Sequence, residues 1–212
     1  FETHFAFQGR ALVPNNFVSS KSVNLQKESL NVDMTETYGV AYGALIRKTY
    51  NEKLSIETGL NYYFRNFLFE TTVQDSNFSV SGDFTFTNFE LPVLGLIFIK
   101  LSNEVYAHTG LGVNFIYTPS SVESAIKENS QKITNRGVAY RSFGMDVTAQ
   151  TGFEYRTRNA GMFYLGGSVK VSLAPLFYPL SIYQKGTASI ATAAEYRGSL
   201  VTVYLRYSFP EI

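Results

Sequence analysis

Apolar and polar residues alternate along several stretches of this chain, each about a dozen residues long. In LSIETGLNYYFR (54–65), Leu60, Tyr62 and Phe64 alternate with Asn61 and Arg65. A period of two is typical of a β-strand, in which successive side chains point to opposite faces. Clear alternation occurs at 39–48, 54–65, 105–117, 145–156, 162–173 and 199–209. THFAFQGRALV (3–13) and FELPVLGLIFIK (89–100) complete a predicted set of eight strands.

The connections between these strands alternate strictly between short and long. Short turns are expected at 49–53, 100–104 and 156–161, and long polar loops at 14–36, 68–83, 118–143 and 175–197. An up-and-down meander puts all short turns at one end, as in bacterial outer-membrane barrels. The strand lengths also match the roughly 9–11 tilted residues that cross a bilayer. We therefore predict an all-β fold: an eight-stranded antiparallel up-and-down transmembrane β-barrel with short periplasmic turns and long extracellular loops, forming a single domain over residues 1–212.

The two faces of the predicted strands differ in charge, and this difference indicates which face is inside. One face carries aromatic and aliphatic residues with no charge, whereas the other combines glycines with residues of both charge signs. The interior of an eight-stranded barrel is just wide enough to be filled by side chains, so the aromatic face would overfill it. We therefore expect the apolar face to meet lipid, with Leu60, Tyr62 and Phe64 outside and Asn61 and Arg65 in the lumen.

The predicted lumen charge network is Arg47, Glu57, Arg65, Glu90, His108, Asp146, Glu154, Lys170 and Arg206. Because Glu90 lies in an otherwise apolar run, we expect an ion pair to Arg47, Arg65 or Arg206.

Composition narrows the function classes. The chain has no cysteine, which excludes disulfides and thiolate metal sites, and its net charge of +1 gives no reason to expect nucleic acid as a partner. No run of eighteen apolar residues occurs, so a transmembrane helix is not expected. Aromatic residues make up 16% of the chain, and their enrichment favours strands.

The segment FTNFELPVLGLIFIKLSNEVYAHTGLGVNFIY (86–117) resembles the PorT-like outer-membrane β-barrel family of Bacteroidetes. Proteins of that family carry an aromatic residue, a glutamate, an aliphatic residue and a proline in one strand, followed by a short turn and a glycine-rich strand. Phe89, Glu90, Leu91 and Pro92 match this pattern. The resemblance implies a small barrel in the outer membrane, in a family that includes a secretion accessory protein.

The two histidines limit acid–base chemistry. Some small outer-membrane barrels are lipid-modifying hydrolases with a His and Ser pair, and the Ser should then lie two residues from the His on the same face. Tyr106 and Gly110 occupy those positions around His108, and His4 lies near the start of the first strand. Neither histidine has a second ligand at metal spacing on its own face. We therefore expect no enzyme activity, no metal and no cofactor.

The leading functional hypothesis is a structural or accessory subunit of a larger outer-membrane complex, such as a secretion, assembly or surface machine. Its partners would be outer-membrane lipid and other proteins, with termini in the periplasm, loops outside the cell and no small-molecule substrate. A narrow pore for small solutes is the alternative, and a lipid-modifying hydrolase or a soluble lipocalin-like binder is a further possibility. The loop 175–197 is unusually apolar, and an exposed apolar patch usually marks a contact site. The alternatives are that this loop folds over the mouth of the barrel, or that Phe177 and Tyr178 lie in the interfacial aromatic belt. The predicted partner-contact residues are Leu176, Phe177, Tyr178, Leu180, Ile182 and Tyr183.

Overall fold

A computed structural model describes residues 2–18, 20–76, 78–119, 121–128, 130–157 and 159–210. The described residues form fifteen strands and one short 3-10 helix, Gln74–Ser76. The strands are β1 (Glu2–Val13), β2 (Ser22–Lys27), β3 (Leu30–Glu36), β4 (Gly39–Asn51), β5 (Leu54–Val73), β6 (Phe78–Lys100), β7 (Val105–Tyr117), β8 (Val122–Glu128), β9 (Gln131–Ala139), β10 (Phe143–Arg156), β11 (Met162–Ser172), β12 (Pro175–Lys185), β13 (Ala188–Ala193), β14 (Tyr196–Arg197) and β15 (Leu200–Ser208). Among these residues, none forms a helix long and apolar enough to cross a membrane.

All strand pairings are antiparallel, as the alternating pattern predicts. The larger sheet has ten strands in the order β2–β3–β5–β4–β1–β15–β11–β10–β7–β6, and β6 pairs back with β5. The eight strands from β5 to β6 in this order, called the ring below, therefore form a ladder that returns to its starting strand. Closure matters physically because a sheet without edges leaves no row of unpaired backbone groups.

The number of strands differs from the predicted eight because the expected long loops are themselves largely strands. The regions 14–36, 118–143 and 175–197 contain β2, β3, β8, β9, β12, β13 and β14. The region 68–83 is mostly a continuation of β5 and β6, which stay paired as far as Val73 and Phe78. These strands extend beyond the ring at one end, and they lack the clear alternation of charged and apolar residues by which the ring strands were predicted.

The additional strands form a second layered structure, called the cap below, which consists of β2, β3, the ends of β5 and β6 next to the 3-10 helix, and a five-stranded sheet. That sheet has the order β13–β12–β9–β8, with β14 also paired to β12. Phe177 lies at the centre of the cap, with its ring 4.7 Å from that of Phe86 and 5.1 Å from that of Phe67. The buried core of the cap comprises Leu25, Leu30, Val32, Met34, Phe67, Phe69, Val73, Phe78, Phe84, Phe86, Ile133, Leu176, Phe177, Tyr183 and Tyr196.

The short turns lie at the other end of the ring, and local side chains fix them. Asn51 Oδ1 accepts hydrogen bonds from the backbone amides of Lys53 and Leu54, at 2.9 and 2.8 Å. After β10, Gly161 adopts a φ of +81°, which favours glycine, and its carbonyl accepts a 3.0 Å bond from the Thr157 amide. The start of β1 and the end of β15 lie at this turn end as well, because Glu2 pairs with Thr49 of β4 and Ser208 of β15 pairs with Met162 of β11.

Candidate functional site

The ring has most of its charged and polar side chains inside, together with buried Leu94, Leu96 and Phe98, and an apolar face outside. On β5, Leu60 is 53% exposed, whereas Asn61 and Arg65 are 0% and 2% exposed. Tyr62 and Phe64 are half-buried, since their rings pack against each other at 4.5 Å on the outer surface. A soluble barrel of this size would show the opposite arrangement, because burying apolar area drives folding in water.

The interior of the ring contains a dense set of paired charges. All nine residues of the predicted network are buried, at 5% exposure or less. They divide into a cluster near the turns, a cluster at mid-height and a link to the cap. A buried charge is tolerated only where pairing and hydrogen bonds compensate for lost hydration, and each cluster supplies such partners.

The cluster near the turns is built around Glu57 of β5. Its Oε2 lies 2.5 Å from Arg206 Nη1 and 3.3 Å from Arg47 Nη2. Arg47 Nη1 also lies 2.9 Å from Glu154 Oε2, and Glu154 pairs in addition with Arg156 at the mouth. Two carboxylates therefore hold three guanidinium groups, in a chain that crosses the interior from β4 to β10 and β15.

The mid-height cluster corrects the expected partner of Glu90. Glu90 pairs with Lys170 rather than with Arg47, Arg65 or Arg206, and its Oε2 lies 2.5 Å from Lys170 Nζ. Arg47 and Arg206 lie nearer the turns and are held by Glu57, while Arg65 lies nearer the cap.

The other oxygen of Glu90 accepts hydrogen bonds from neighbouring side chains. Tyr63 Oη donates to Glu90 Oε1 at 3.0 Å and Asn61 Nδ2 donates to it at 3.2 Å. Asp146 is the second acid of this cluster, with Oδ2 3.8 Å from Lys170 Nζ. Lys170 thus serves two carboxylates and lies much closer to one of them.

Arg65 links the ring to the cap through Glu36, which sequence reasoning missed. Arg65 Nε and Nη2 both lie 2.7 Å from Glu36 Oε1, and Arg65 Nη1 donates to the Gly198 carbonyl at 2.9 Å. Tyr196 Oη donates to the other Glu36 oxygen at 2.6 Å. Burial raises the pKa of the Tyr196 phenol, which keeps it a proton donor to this carboxylate. Glu36 and Tyr196 fell in predicted loops, so no alternation marked them as interior residues.

His108 has aromatic neighbours in the interior of the ring. Its Nε2 lies 2.8 Å from Tyr204 Oη, and its ring lies 6.0 Å from that of Tyr164. Gly166 leaves the space for this contact, because a Cβ there would come within 2.5 Å of Tyr204 Oη. His108 therefore lies in the interior of the ring, away from the outer surface at which a lipid-modifying enzyme acts.

Polar residues of β1 complete the network and were not singled out from the sequence. Gln8 Nε2 donates to Asn61 Oδ1 at 2.5 Å, and Gln8 Oε1 accepts from Arg206 at 3.1 Å and from Arg10 at 3.3 Å. Arg10 Nη1 also donates to Ser168 Oγ at 3.3 Å. The alternation of THFAFQGRALV places Gln8 and Arg10 on the same face of the strand. This alternation could have identified both as interior residues.

The predicted partner-contact residues are not an exposed loop. Leu176, Phe177 and Tyr183 are buried in the core of the cap, so the expectation of an exposed patch is wrong for them. Their apolar character reflects packing between two sheets. Tyr178, Leu180 and Ile182 are half-buried and alternate along β12 with the buried positions Phe177, Pro179, Ser181 and Tyr183.

Comparison with known proteins agrees with this architecture. The family model described as "Outer membrane protein beta-barrel domain" matches residues 3–178. The solved structure of the outer membrane protein OprG from Pseudomonas aeruginosa is similar in fold, with a TM-score of 0.55, 12% sequence identity, and coverage of 98% of this chain and 96% of that one. The β domain of the Bordetella autotransporter BrkA aligns over 99% of each chain at 10% identity, with a TM-score of 0.27 that carries no information about the fold. No curated protein matches the chain.

Proposed function

The chain belongs to the outer membrane protein β-barrel domain family, and from this premise we propose that it is a sealed, non-enzymatic barrel that serves as a structural or accessory subunit of an outer-membrane complex. The ring of eight paired strands would be the wall that crosses the bilayer. Its outward apolar residues would contact lipid, and its closed ladder would leave no open sheet edge in hydrocarbon.

The observation that carries this proposal is the filling of the interior. The Glu57 and Glu90 clusters extend across the ring at two heights, and their charged side chains are buried against one another. The aromatic core of the cap lies beyond these clusters, at the end of the ring opposite the short turns. A barrel of eight strands has no space for a water channel beside such side chains, which argues against the alternative of a narrow solute pore.

Planar-bilayer recording would test the proposal. We expect no stepwise conductance from the purified protein. A variant that removes interior volume and charge together, Arg206→Ala with Glu57→Ala, should admit ions if the side chains are what seals the interior. Steady single-channel conductance by the unmodified protein would favour the pore.

We further propose that partner proteins bind the outer side of the cap sheet. The half-buried residues Tyr178, Leu180 and Ile182 of β12 lie on the side of the sheet opposite Phe177. Replacing Leu180 and Ile182 with Ser should release co-purifying proteins, whereas the matched changes Thr72→Ala and Glu70→Ser on an exposed face of β5 should not. Retention of every partner by the Leu180 and Ile182 variant would contradict this assignment.

For orientation, we propose that the cap is extracellular and that the turn end, with both described chain ends, faces the periplasm. Outer-membrane barrels place their long connections outside the cell, and here those connections form the cap. Protease added to whole cells should therefore leave the turns near Asn51 and Asn103 intact.

The match of Phe89, Glu90, Leu91 and Pro92 to the PorT-like pattern supports a secretion-related partner within Bacteroidetes.

A further inference from the structure

A cleft of about 270 Å³ lies where the rim of the ring meets the cap. Its walls come from the ends of β7, β10 and β11 and from the segments that lead from the ring into the cap sheet. The volume lies just below the roughly 300–1,000 Å³ of small-molecule sites, so a ligand of modest size fits. This cleft is separate from the outer side of the cap sheet and reaches the mid-height cluster through Asp146, which forms part of its lining.

The polar lining of the cleft includes Thr118, Ser172, Arg141 and the carboxylate of Asp146, which is the buried acid among them. This residue is 2% exposed, and its Oδ2 has no hydrogen-bond partner among the described residues. Lys170 Nζ lies 3.8 Å from that oxygen, beyond hydrogen-bond length, and is held by Glu90 at 2.5 Å. A buried acceptor without a donor costs free energy, and a ligand that donated a hydrogen bond to it would recover that cost.

The rest of the cleft is largely apolar. Ile116, Met145, Leu173 and Leu176 line it, and Phe143 stands at its outer side with its ring 5.1 Å from that of Tyr117. Met145 and Leu173 are exposed, so the apolar lining continues onto the outer surface of the ring. A ligand would therefore place an apolar body at the surface and a polar head toward Asp146.

We propose that this cleft binds a small amphiphile with a primary ammonium head, which donates to Asp146 Oδ2 while its alkyl body lies against Met145 and Leu173. A hydrogen-bond-donating cation suits Asp146, because Lys170 is held by Glu90 and stays 3.8 Å from Asp146 Oδ2. Arg65 and Arg10 are close enough to act on Asp146 and Glu90 electrostatically, but Arg65 donates to Glu36 and the Gly198 carbonyl, and Arg10 donates to Gln8 and Ser168.

The cleft also has a basic residue, which defines the competing outcome. Arg141 is exposed at the rim, with its guanidinium 5.1 Å from the centre of the Tyr140 ring. A fatty carboxylate would pair with Arg141 and leave Asp146 Oδ2 without a donor. An ammonium group satisfies the buried atom, and for that reason the ammonium amphiphile is the ligand we propose.

Calorimetric titration of the purified protein in a nonionic detergent would test the proposal, with octylamine, octanol and octanoate as probes and detergent blanks subtracted. We expect octylamine to bind more tightly than octanol, and octanoate to bind least. Asp146→Asn should weaken octylamine binding by about tenfold or more, the size typical of a lost charge-assisted hydrogen bond. The exposed acid Asp83 lies in the cap portion of β6, away from the cleft, so Asp83→Asn should leave the affinity unchanged.

A steric variant covers the case in which Asp146→Asn fails to fold. Gly144 lines the cleft two residues before Asp146, and a Cβ there would meet Ile116 Cβ at an ordinary 3.9 Å. Gly144→Leu should therefore fill the cleft and abolish octylamine binding while keeping the acid. The control is Gly9→Leu on the outer wall, where a Cβ meets no other atom within 4 Å.

The source of the ammonium group would be identified by competition in nanodiscs. Displacement of octylamine by phosphatidylethanolamine, but not by phosphatidylcholine, whose head has no N–H donor, would identify a membrane lipid. Displacement by neither lipid, with octylamine still bound, would identify a free alkylamine. Octanoate binding as tightly as octylamine, or unchanged octylamine affinity in a folded Asp146→Asn or Gly144→Leu protein, would overturn the proposal. Each of these results is independent of whether the barrel conducts or has protein partners.

Discussion

Lys170 Nζ lies 2.5 Å from Glu90 Oε2 at mid-height in the ring, and the two side chains come from β11 and β6. Both residues are buried, at 4% and 1% exposure. This ion pair is therefore an interior contact between strands that are not neighbours in the ring.

We predict that Glu90→Gln destabilises the protein strongly. The substitution leaves the ammonium of Lys170 buried with the more distant Asp146 as its charged partner, and breaking a buried pair costs roughly 3–5 kcal/mol. The double variant Glu90→Gln with Lys170→Met should cost less than Glu90→Gln alone, because no charge is then stranded. Urea unfolding in lipid vesicles, followed by circular dichroism, measures both. The surface pair Glu123–Arg136 is the control, since each side chain is nearly half exposed and its loss should cost about 1 kcal/mol or less.

The outward face of the ring carries the second prediction. Leu60→Arg should impair insertion into vesicles, because an arginine near the bilayer midplane on the lipid face costs about 2–4 kcal/mol. Thr72→Arg is a matched control, since Thr72 is an exposed residue on the same face of β5 within the cap. Normal insertion of Leu60→Arg, at the rate of Thr72→Arg, would contradict the assignment of this face to lipid.

The cap core gives the third prediction. Phe177 is fully buried among Phe67, Phe86 and Tyr196, and Phe177→Ala should destabilise the cap by about 3–5 kcal/mol through the cavity it leaves. Because the ring has its own interior network, it should remain folded. Hydrogen exchange should rise sharply in β9 and β12 and stay slow in β10 and β11. Tyr178→Ala, at the half-buried neighbouring position, should change exchange far less.

Alternation in the sequence predicted the ring well, for a physical reason. Most ring strands separate an environment of paired charges from one of exposed apolar side chains, so charged and apolar residues fall on opposite parities, as Arg65 and Leu60 do. Strand β6 is the exception, because Leu94, Leu96 and Phe98 are buried on its inner face. Interior positions such as Arg47 and Lys170 could therefore be identified without knowing their partners. The pairing of Glu90 with Lys170 could not be predicted in this way. The alternation shows which face of the strand a residue is on, but it does not show which residues of other strands lie at the same level in the ring.

The cap could not be predicted, because its strands do not separate two such different environments. In β12, the buried Phe177 and Ser181 share one face, and prolines at 175 and 179 suggest a loop. Its stability comes from contacts between segments far apart in sequence, such as Phe177 with Phe86. Because these segments do not alternate, the sequence also did not identify Glu36 and Tyr196, the cap residues that bind Arg65, as buried.

The last prediction concerns this link between ring and cap. Tyr196→Phe removes only the phenol hydroxyl that donates to Glu36 Oε2 at 2.6 Å, and keeps the ring packed on Phe67. A lost hydrogen bond to a charged acceptor costs about 1.5–3 kcal/mol, so the cap should open more often while the ring is unaffected. Limited proteolysis of the protein in detergent should therefore cut within β12–β14 at a higher rate. Tyr183→Phe is the control, since its hydroxyl contacts the neutral side chains of Gln131 and Ser76. An equal increase in cutting for both variants would show that the tyrosines act through general packing, and that the Arg65–Glu36–Tyr196 contact does not hold the cap on the ring.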